Sequence, residues 1–204
     1  LEKRFLSKRY WLESNREIMR IISGILKGKS INFLKNSNTR PLKDSVKENI
    51  FNILKHSNLI SIQIEDSKIL DLYAGVGSFG IECISRGAKK VTFIEQDKNA
   101  ANILKENLNK LSATNKARII NKKIEDILKD KMDEKYRIVF LDPPFADFNF
   151  IKTLDLIKKN EIFETNHLII IHRERNSKDN YKNIIEIIDT KQYGRSKIIF
   201  GKFN

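Results

Sequence analysis

Gly75, Gly77 and Gly80 stand in "LDLYAGVGSFGIE" at the G-x-G-x-x-G spacing that lets a backbone turn tightly and come close to an adenosine-containing ligand. Alone, that spacing fits a nicotinamide or flavin dinucleotide, another adenosine ligand, or a plain strand-to-helix turn. Asp71 discriminates between them. A pyrophosphate rests on helix N–H groups, and a carboxylate four residues before the first glycine faces that anion unfavourably. A ligand with an ammonium group and no phosphate suits the position better. S-adenosylmethionine is such a ligand, because its amino-acid end carries the ammonium that Asp71 can receive. Glu95, 20 residues after Gly75, is placed to accept hydrogen bonds from both ribose hydroxyls, a feature common to both cofactor classes.

"IVFLDPPF", residues 138 to 145, is the second chemical signature. An acid followed by two prolines after an apolar run stiffens the chain where open α/β sheets bind their ligands. Such stiffness suits a site that must fix an amine. An exocyclic base amine is a poor nucleophile because its lone pair is delocalised into the ring. Hydrogen bonds from it to the Asp142 carboxylate and the Pro143 carbonyl would hold it in line with a sulfonium methyl and stabilise the positive charge developing on nitrogen. Pro144 extends the rigid turn, and Phe145 could stack on the base. The bland alternative is a strand-end turn that Asp142 merely caps.

These residues need a frame that brings their loops together. Ile69 to Tyr73, Val91 to Glu95, Arg118 to Asn121, Ile138 to Leu141 and Leu168 to His172 read as strands. Helices are expected over Phe79 to Arg86, ended by Gly87, then after an Asp97 cap, over 124–132, and over Phe148 to Lys158. "IIEIID" and "KIIFGKF" form a closing pair with no helix between them, hence an antiparallel edge. The expected fold is α/β, a doubly wound sheet. Upstream, "MRIISGILKGKSINFL" reads as a hairpin broken at Gly24 and at Lys27-Gly28-Lys29, and Asp44 as the N-cap of a helix carrying Val46, Ile50, Ile53 and Leu54. Residues 1–18, 19–60 (basic hairpin and helix) and 61–204 (catalytic domain) are the expected divisions.

Thirty-nine basic residues against 26 acidic ones give a net charge of +13, which favours a polyanionic partner. The excess is concentrated: residues 1–60 hold 13 basic and 5 acidic side chains. No acid lies between Glu17 and Asp44, whereas Arg20, Lys27, Lys29, Lys35, Arg40 and Lys43 all do. This segment is expected to contact nucleic acid, the alternative being a solvated basic face. Cys83 is the single cysteine, and His56, His167 and His172 lack ligand spacing for zinc, so no metal is expected. No apolar run approaches the roughly 18 to 20 residues needed to span a bilayer. A soluble, cytoplasmic protein is expected, with no membrane partner.

"DLYAGVGSFGIE", "IEQD" and "DPPF" resemble class I S-adenosylmethionine-dependent methyltransferases acting on exocyclic amines. "MRIISGILKGKSINF", "TRPLKDSVKENIFNIL" and "YGRSKIIFGKF" resemble bacterial small-subunit (16S) ribosomal RNA guanine-N2 methyltransferases of the RsmD type. The resemblance runs from Met19 to about Phe203. It implies a Rossmann-like sheet of seven strands and S-adenosylmethionine as cofactor. It also implies small-subunit ribosomal RNA, naked or in the assembled subunit, as partner. Asp71, Ala74, Gly75, Gly77 and Glu95 are implied in cofactor binding, Arg40 and Pro41 beside the cofactor or target base, and Asp142, Pro143, Pro144 and Phe145 in catalysis. Lys123-Ile124 stands where related enzymes place Asp or Asn before a residue whose backbone meets the adenine. That role is expected of the Ile124 backbone, with Glu125 or Asp126 as substitutes. A DNA adenine-N6 methyltransferase, or a nonenzymatic RNA-binding assembly protein on the same fold, would also fit. A nicotinamide oxidoreductase leaves the double proline unexplained.

Overall fold

The computed structural model describes residues 16–34, 42–129 and 132–204. Two antiparallel strands, β1 (Arg16–Arg20) and β2 (Ser30–Leu34), form the expected hairpin, with Arg20 opposite Ser30. β1 begins within the stretch 1–18 that the sequence sets apart. Helix α1 (Asp44–His56) buries Val46, Ile50, Phe51 and Leu54, the spacing of one helical face. Its start departs from expectation, because Lys43 rather than Asp44 occupies the N-cap and no side chain caps it. The Lys47 N–H already donates to the Lys43 carbonyl at 2.9 Å, so helical bonding begins one residue early. Asp44 is thereby placed in the first turn, where its charge favours the dipole and pairs with Lys47 at 3.2 Å.

Strands and helices then alternate: β3 (Lys68–Leu72), α2 (Ser78–Ser85), β4 (Lys90–Ile94), α3 (Lys98–Lys110), β5 (Ala117–Ile120), α4 (Ile124–Leu128), β6 (Tyr136–Leu141), α5 (Phe150–Lys159) and β7 (Phe163–Glu174). β8 (Ile185–Tyr193) and β9 (Ser196–Phe203) close the chain. Asp97 caps α3 as expected, accepting from the Ala100 N–H at 2.7 Å. Gly87, at φ 93°, ends α2 in a paired turn: its N–H bonds the Ile84 carbonyl, and the Ala88 N–H bonds that of Cys83. α4 stops at Leu128, short of the expected 132. β7 begins at Phe163, five residues before the expected Leu168, because "FETN" extends its pairing toward Tyr136 across a register shift.

The sheet order is β5-β4-β3-β6-β7-β9-β8, with the first five strands parallel and the last two antiparallel. This is the doubly wound, seven-stranded α/β architecture. Side-chain alternation assigns each strand residue to one of two apolar layers. Ile69, Phe93, Ile138, Phe140, Leu168 and Ile170 face α1, α2 and α3, whereas Leu70, Leu72, Val139, Leu141, Ile169 and Ile171 face α4 and α5. The chain order reverses between β3 and β6, where ligands of open α/β sheets bind beyond the carboxyl ends. Among the described residues, no helix is long and apolar enough to cross a membrane.

The hairpin docks on the α2 and α3 face by burying Met19, Ile21, Leu26, Ile31 and Phe33 in that apolar layer and by hydrogen bonds to its main chain. Glu82 accepts from the N–H groups of Ile22 (2.8 Å) and Ser23 (2.9 Å). Ser85 accepts from the Leu26 N–H and donates to the Ser23 carbonyl. Asn107 accepts from the Asn32 N–H at 2.8 Å, and donates to the carbonyls of Asn32 and Val76. The last bond ties the hairpin to the glycine loop.

Candidate active site at the carboxyl ends of β3 and β6

Leu72 pairs with Leu141, so the glycine loop and the Asp142 loop leave the sheet side by side. Tyr73 opens the first loop in the left-handed region at φ 58°, and the Ala74 N–H donates to the Ile94 carbonyl at 3.1 Å. The three glycines then do three different things. Gly75, at φ 55°, points the hydrogen that a Cβ would replace into open space, with nothing within 4 Å. Gly77, at φ 87°, lies against α3, where a Cβ would meet Leu104 at 2.3 Å. Gly80 lets α2 approach the sheet: a Cβ there would stand 2.2 Å from Phe93 and 2.8 Å from Asp71 Oδ2. The loop is therefore open at Gly75, on the side away from α2 and α3 packing.

Asp71 shares the α2-facing side of β3, and its Oδ2 accepts from the Gly80 N–H at 3.0 Å. It is 1% exposed, and burial pushes its carboxyl well above the usual carboxylate range, against the lowering effect of that bond. Glu95 directly follows β4 and is half-buried, with Oε2 accepting from the Gly75 N–H and Oε1 from the Asp97 N–H, both at 2.7 Å. Burial raises its carboxyl too. Both acids therefore shape the loop from within. Each Glu95 oxygen keeps lone-pair capacity for a further donor.

The second loop is held from β7, by two neighbouring residues on opposite faces. His172 lies on the Asp142 face, its Nδ1 2.7 Å from Asp142 Oδ1 and its Nε2 2.9 Å from Ser196 Oγ. Arg173 points the other way and is fully buried. Its guanidinium donates to the carbonyls of Pro144 (3.1 Å) and Phe145 (3.3 Å), bonds both oxygens of Asp179, and lies 4.3 Å from the Phe150 ring centroid. Pro143 is buried, Pro144 exposed, and Phe145 half-buried with its ring at 75° to that of His172, 5.6 Å away. The Tyr73 hydroxyl donates to Asp147 at 3.3 Å, joining the two loops. Burial raises the Tyr73 hydroxyl's pKa, so it remains a donor.

The structure thus brings Asp71, Ala74, Gly75, Gly77, Glu95 and the 142–145 loop to one end of adjacent strands. Ile124 begins α4 with its side chain buried, and Asp126 is committed to Lys129 at 2.9 Å. Arg20, Lys27, Lys29 and Lys43 are exposed. Arg40, Pro41 and Lys35 lie outside the described residues. Sequence reasoning did not single out Arg173, Asp179, Ser196 or Tyr73, and weighed His172 only as a zinc ligand. A charge two residues after the apolar run "LIII", within the same strand, was the available signal for Arg173, since a strand buried on both faces tolerates an ion only with a partner.

The family described as conserved hypothetical protein 95 matches residues 19–202. A Haemophilus influenzae protein named "Ribosomal RNA small subunit methyltransferase D" is 40% identical over 160 residues, 77% of this chain and 79% of that protein. Its Escherichia coli namesake is 34% identical over 156 residues, covering 76% and 75%. Among solved structures, HI0767 from Haemophilus influenzae superposes with a TM-score of 0.72 at 34% identity, covering 91% of this chain and 98% of that one.

Proposed function

Because the chain belongs to the conserved hypothetical protein 95 family, as its RsmD-type resemblance anticipates, we propose that it moves a methyl group from S-adenosylmethionine to the N2 amine of a guanine in small-subunit ribosomal RNA. The observation that carries this reading is the placement of the Asp142 loop beside the glycine loop on paired strands. The names borne by the relatives at 34–40% identity support an RNA substrate. S-adenosylmethionine, when bound, supplies a methyl carbon on a positively charged sulfur. The open face of Gly75 fits its close approach, and Asp71, Ala74, Gly77, Glu95 and the Ile124 backbone are the residues that would hold it. Arg40 and Pro41 are proposed to line the same pocket.

Asp142 and the Pro143 carbonyl are acceptors that face an amine with two N–H bonds to offer. Accepting both fixes the nitrogen, and the carboxylate offsets the positive charge that nitrogen gains as it becomes tetravalent. A strong base is not needed, because the proton leaves after the amine has become cationic and acidic. Phe145, backed edge-on by His172, offers a face for a base taken out of its stack. Exposed Arg20, Lys27, Lys29 and Lys43, with Lys35, are proposed to hold RNA phosphates, which supply affinity rather than chemistry.

The test is transfer of labelled methyl to undermodified small ribosomal subunits, naked ribosomal RNA and DNA in parallel, with nucleoside digestion and Asp142→Ala as control. Label in N2-methylguanosine that vanishes in the variant is the expected result. Label in N6-methyladenine of DNA, or cofactor binding without any transfer, would overturn the reading.

A further inference from the structure

Asp142, His172 and Ser196 extend across three neighbouring strands on one face of the sheet. The register dictates this: Leu141 pairs with Ile171, which brings Asp142 and His172 level, and β9 pairs with β7 so that Ser196 begins opposite Glu174. His172 and Ser196 are 7% and 8% exposed, so neither relies on bulk water for its bonds. Their hydrogen bonds have one neutral arrangement. A carboxylate only accepts, so the proton sits on Nδ1; the neutral ring then presents a lone pair at Nε2, which the Ser196 hydroxyl meets by donating. The Asp142 carboxylate thus selects the tautomer, and the Ser196 hydroxyl, able to donate or accept, adapts to it.

We propose that His172, its far nitrogen held by Ser196, is a positioning residue: its Nδ1–H occupies Asp142 Oδ1 and turns the other carboxylate oxygen toward the target amine. This rests on the assignment of Asp142 as amine acceptor above. A carboxylate rotates broadly about its last torsion, and the Asp142 side chain, 21% exposed, has room to do so unless one oxygen is committed. The Arg173 bonds restrain only the loop backbone beyond it. Orientation of the carboxylate itself falls to the imidazole.

Two readouts test this on the full-length protein. Nitrogen-15 histidine NMR should find the His172 proton on Nδ1, and on Nε2 in Asp142→Ala; an Nε2 proton in the wild type overturns the proposal. In steady-state transfer to undermodified small subunits, His172→Leu should lose about 100-fold in kcat with KM and S-adenosylhomocysteine affinity unchanged. His172→Asn, whose amide nitrogen takes the place of Nδ1, should recover most of that loss, and Ser196→Ala should fall between them. Equal losses in the Leu and Asn variants, or a loss confined to KM, would show that the ring serves only packing. Failure of the wild type to transfer would overturn the functional reading and this inference with it, whereas transfer indifferent to His172 overturns this inference alone.

Discussion

Replacing Arg173 with Met should separate stability from loop placement. Its guanidinium and the Asp179 carboxylate are 0% and 2% exposed, paired through bonds of 3.0 and 3.2 Å. Burial is the largest single influence and raises the Asp179 carboxyl, but the bonds and charge of Arg173 together with other hydrogen bonds, including that from the Tyr181 hydroxyl, jointly hold the group below its usual range. Removing the cation strands that charge, at a cost of about 3–5 kcal/mol. The freed Pro144 and Phe145 carbonyls add little, because both residues reach solvent and water can replace the guanidinium. Against a typical stability of about 5–15 kcal/mol, the variant should still fold, with a markedly lower urea midpoint. Adding Asp179→Asn removes the stranded charge while keeping an acceptor for the Tyr181 hydroxyl, so most of the stability should return. Methyl transfer should not. The 142–145 loop still lacks its anchor, and a misplacement of about 1 Å costs on the order of 100-fold in rate. Urea titration beside a transfer assay reads both. Activity that recovers in step with stability would refute the reasoning, since Arg173 would then only brace the fold.

Asp71→Asn should raise the melting temperature while weakening cofactor binding. A folded carboxyl whose pKa is raised binds protons that the unfolded chain releases, so stability falls as pH climbs from the usual carboxylate range to the folded value, and an amide escapes that loss. A lower melting point near neutral pH would contradict this. Gly75→Ala should cost the fold about 1 kcal/mol for its left-handed backbone yet sharply reduce S-adenosylhomocysteine affinity by calorimetry. Gly77→Ala adds about 1–3 kcal/mol of overpacking against Leu104, and so should be the less stable of the two. Lys27→Glu with Lys29→Glu should weaken RNA binding alike for all sequences and flatten its log–log salt dependence by about one for every phosphate no longer held; an unchanged slope would remove these residues from the interface.

The parallel sheet was legible because its strands are apolar runs separated by helices of ordinary length, and the antiparallel edge because nothing helical separates "IIEIID" from "KIIFGKF". The hairpin and the Asp97 cap were legible from local signals of a few residues. Asp44 misled because capping depends on where the first helical bond forms, and Lys43 to Lys47 was as accessible as the bond one residue later. At the site, the two loops announced themselves through their own residues, but their supports did not. Arg173 reaches Pro144 across 29 residues, and Ser196 reaches His172 across 24. Such pairs become neighbours only once strand order and register are fixed. Had the β6-β7-β9 order been assumed, alternation would have placed Asp142, His172 and Ser196 on one face.

The docking of the hairpin carries an implication for how readily this protein can be altered. Glu82, Ser85 and Asn107, on two helices, hydrogen-bond the peptide groups of residues 22, 23, 26 and 32, while the inward side chains of Met19, Ile21, Leu26, Ile31 and Phe33 fill the layer beneath. A peptide group is the same whatever residue bears it. The outward side chains of the hairpin can therefore be exchanged, charge included, without touching these bonds, whereas one change at Asn107 removes the bonds to both Asn32 of the hairpin and Val76 of the glycine loop. The outer surface is replaceable while its mounting is fixed, which makes the hairpin the natural place to graft a new surface onto an unaltered core.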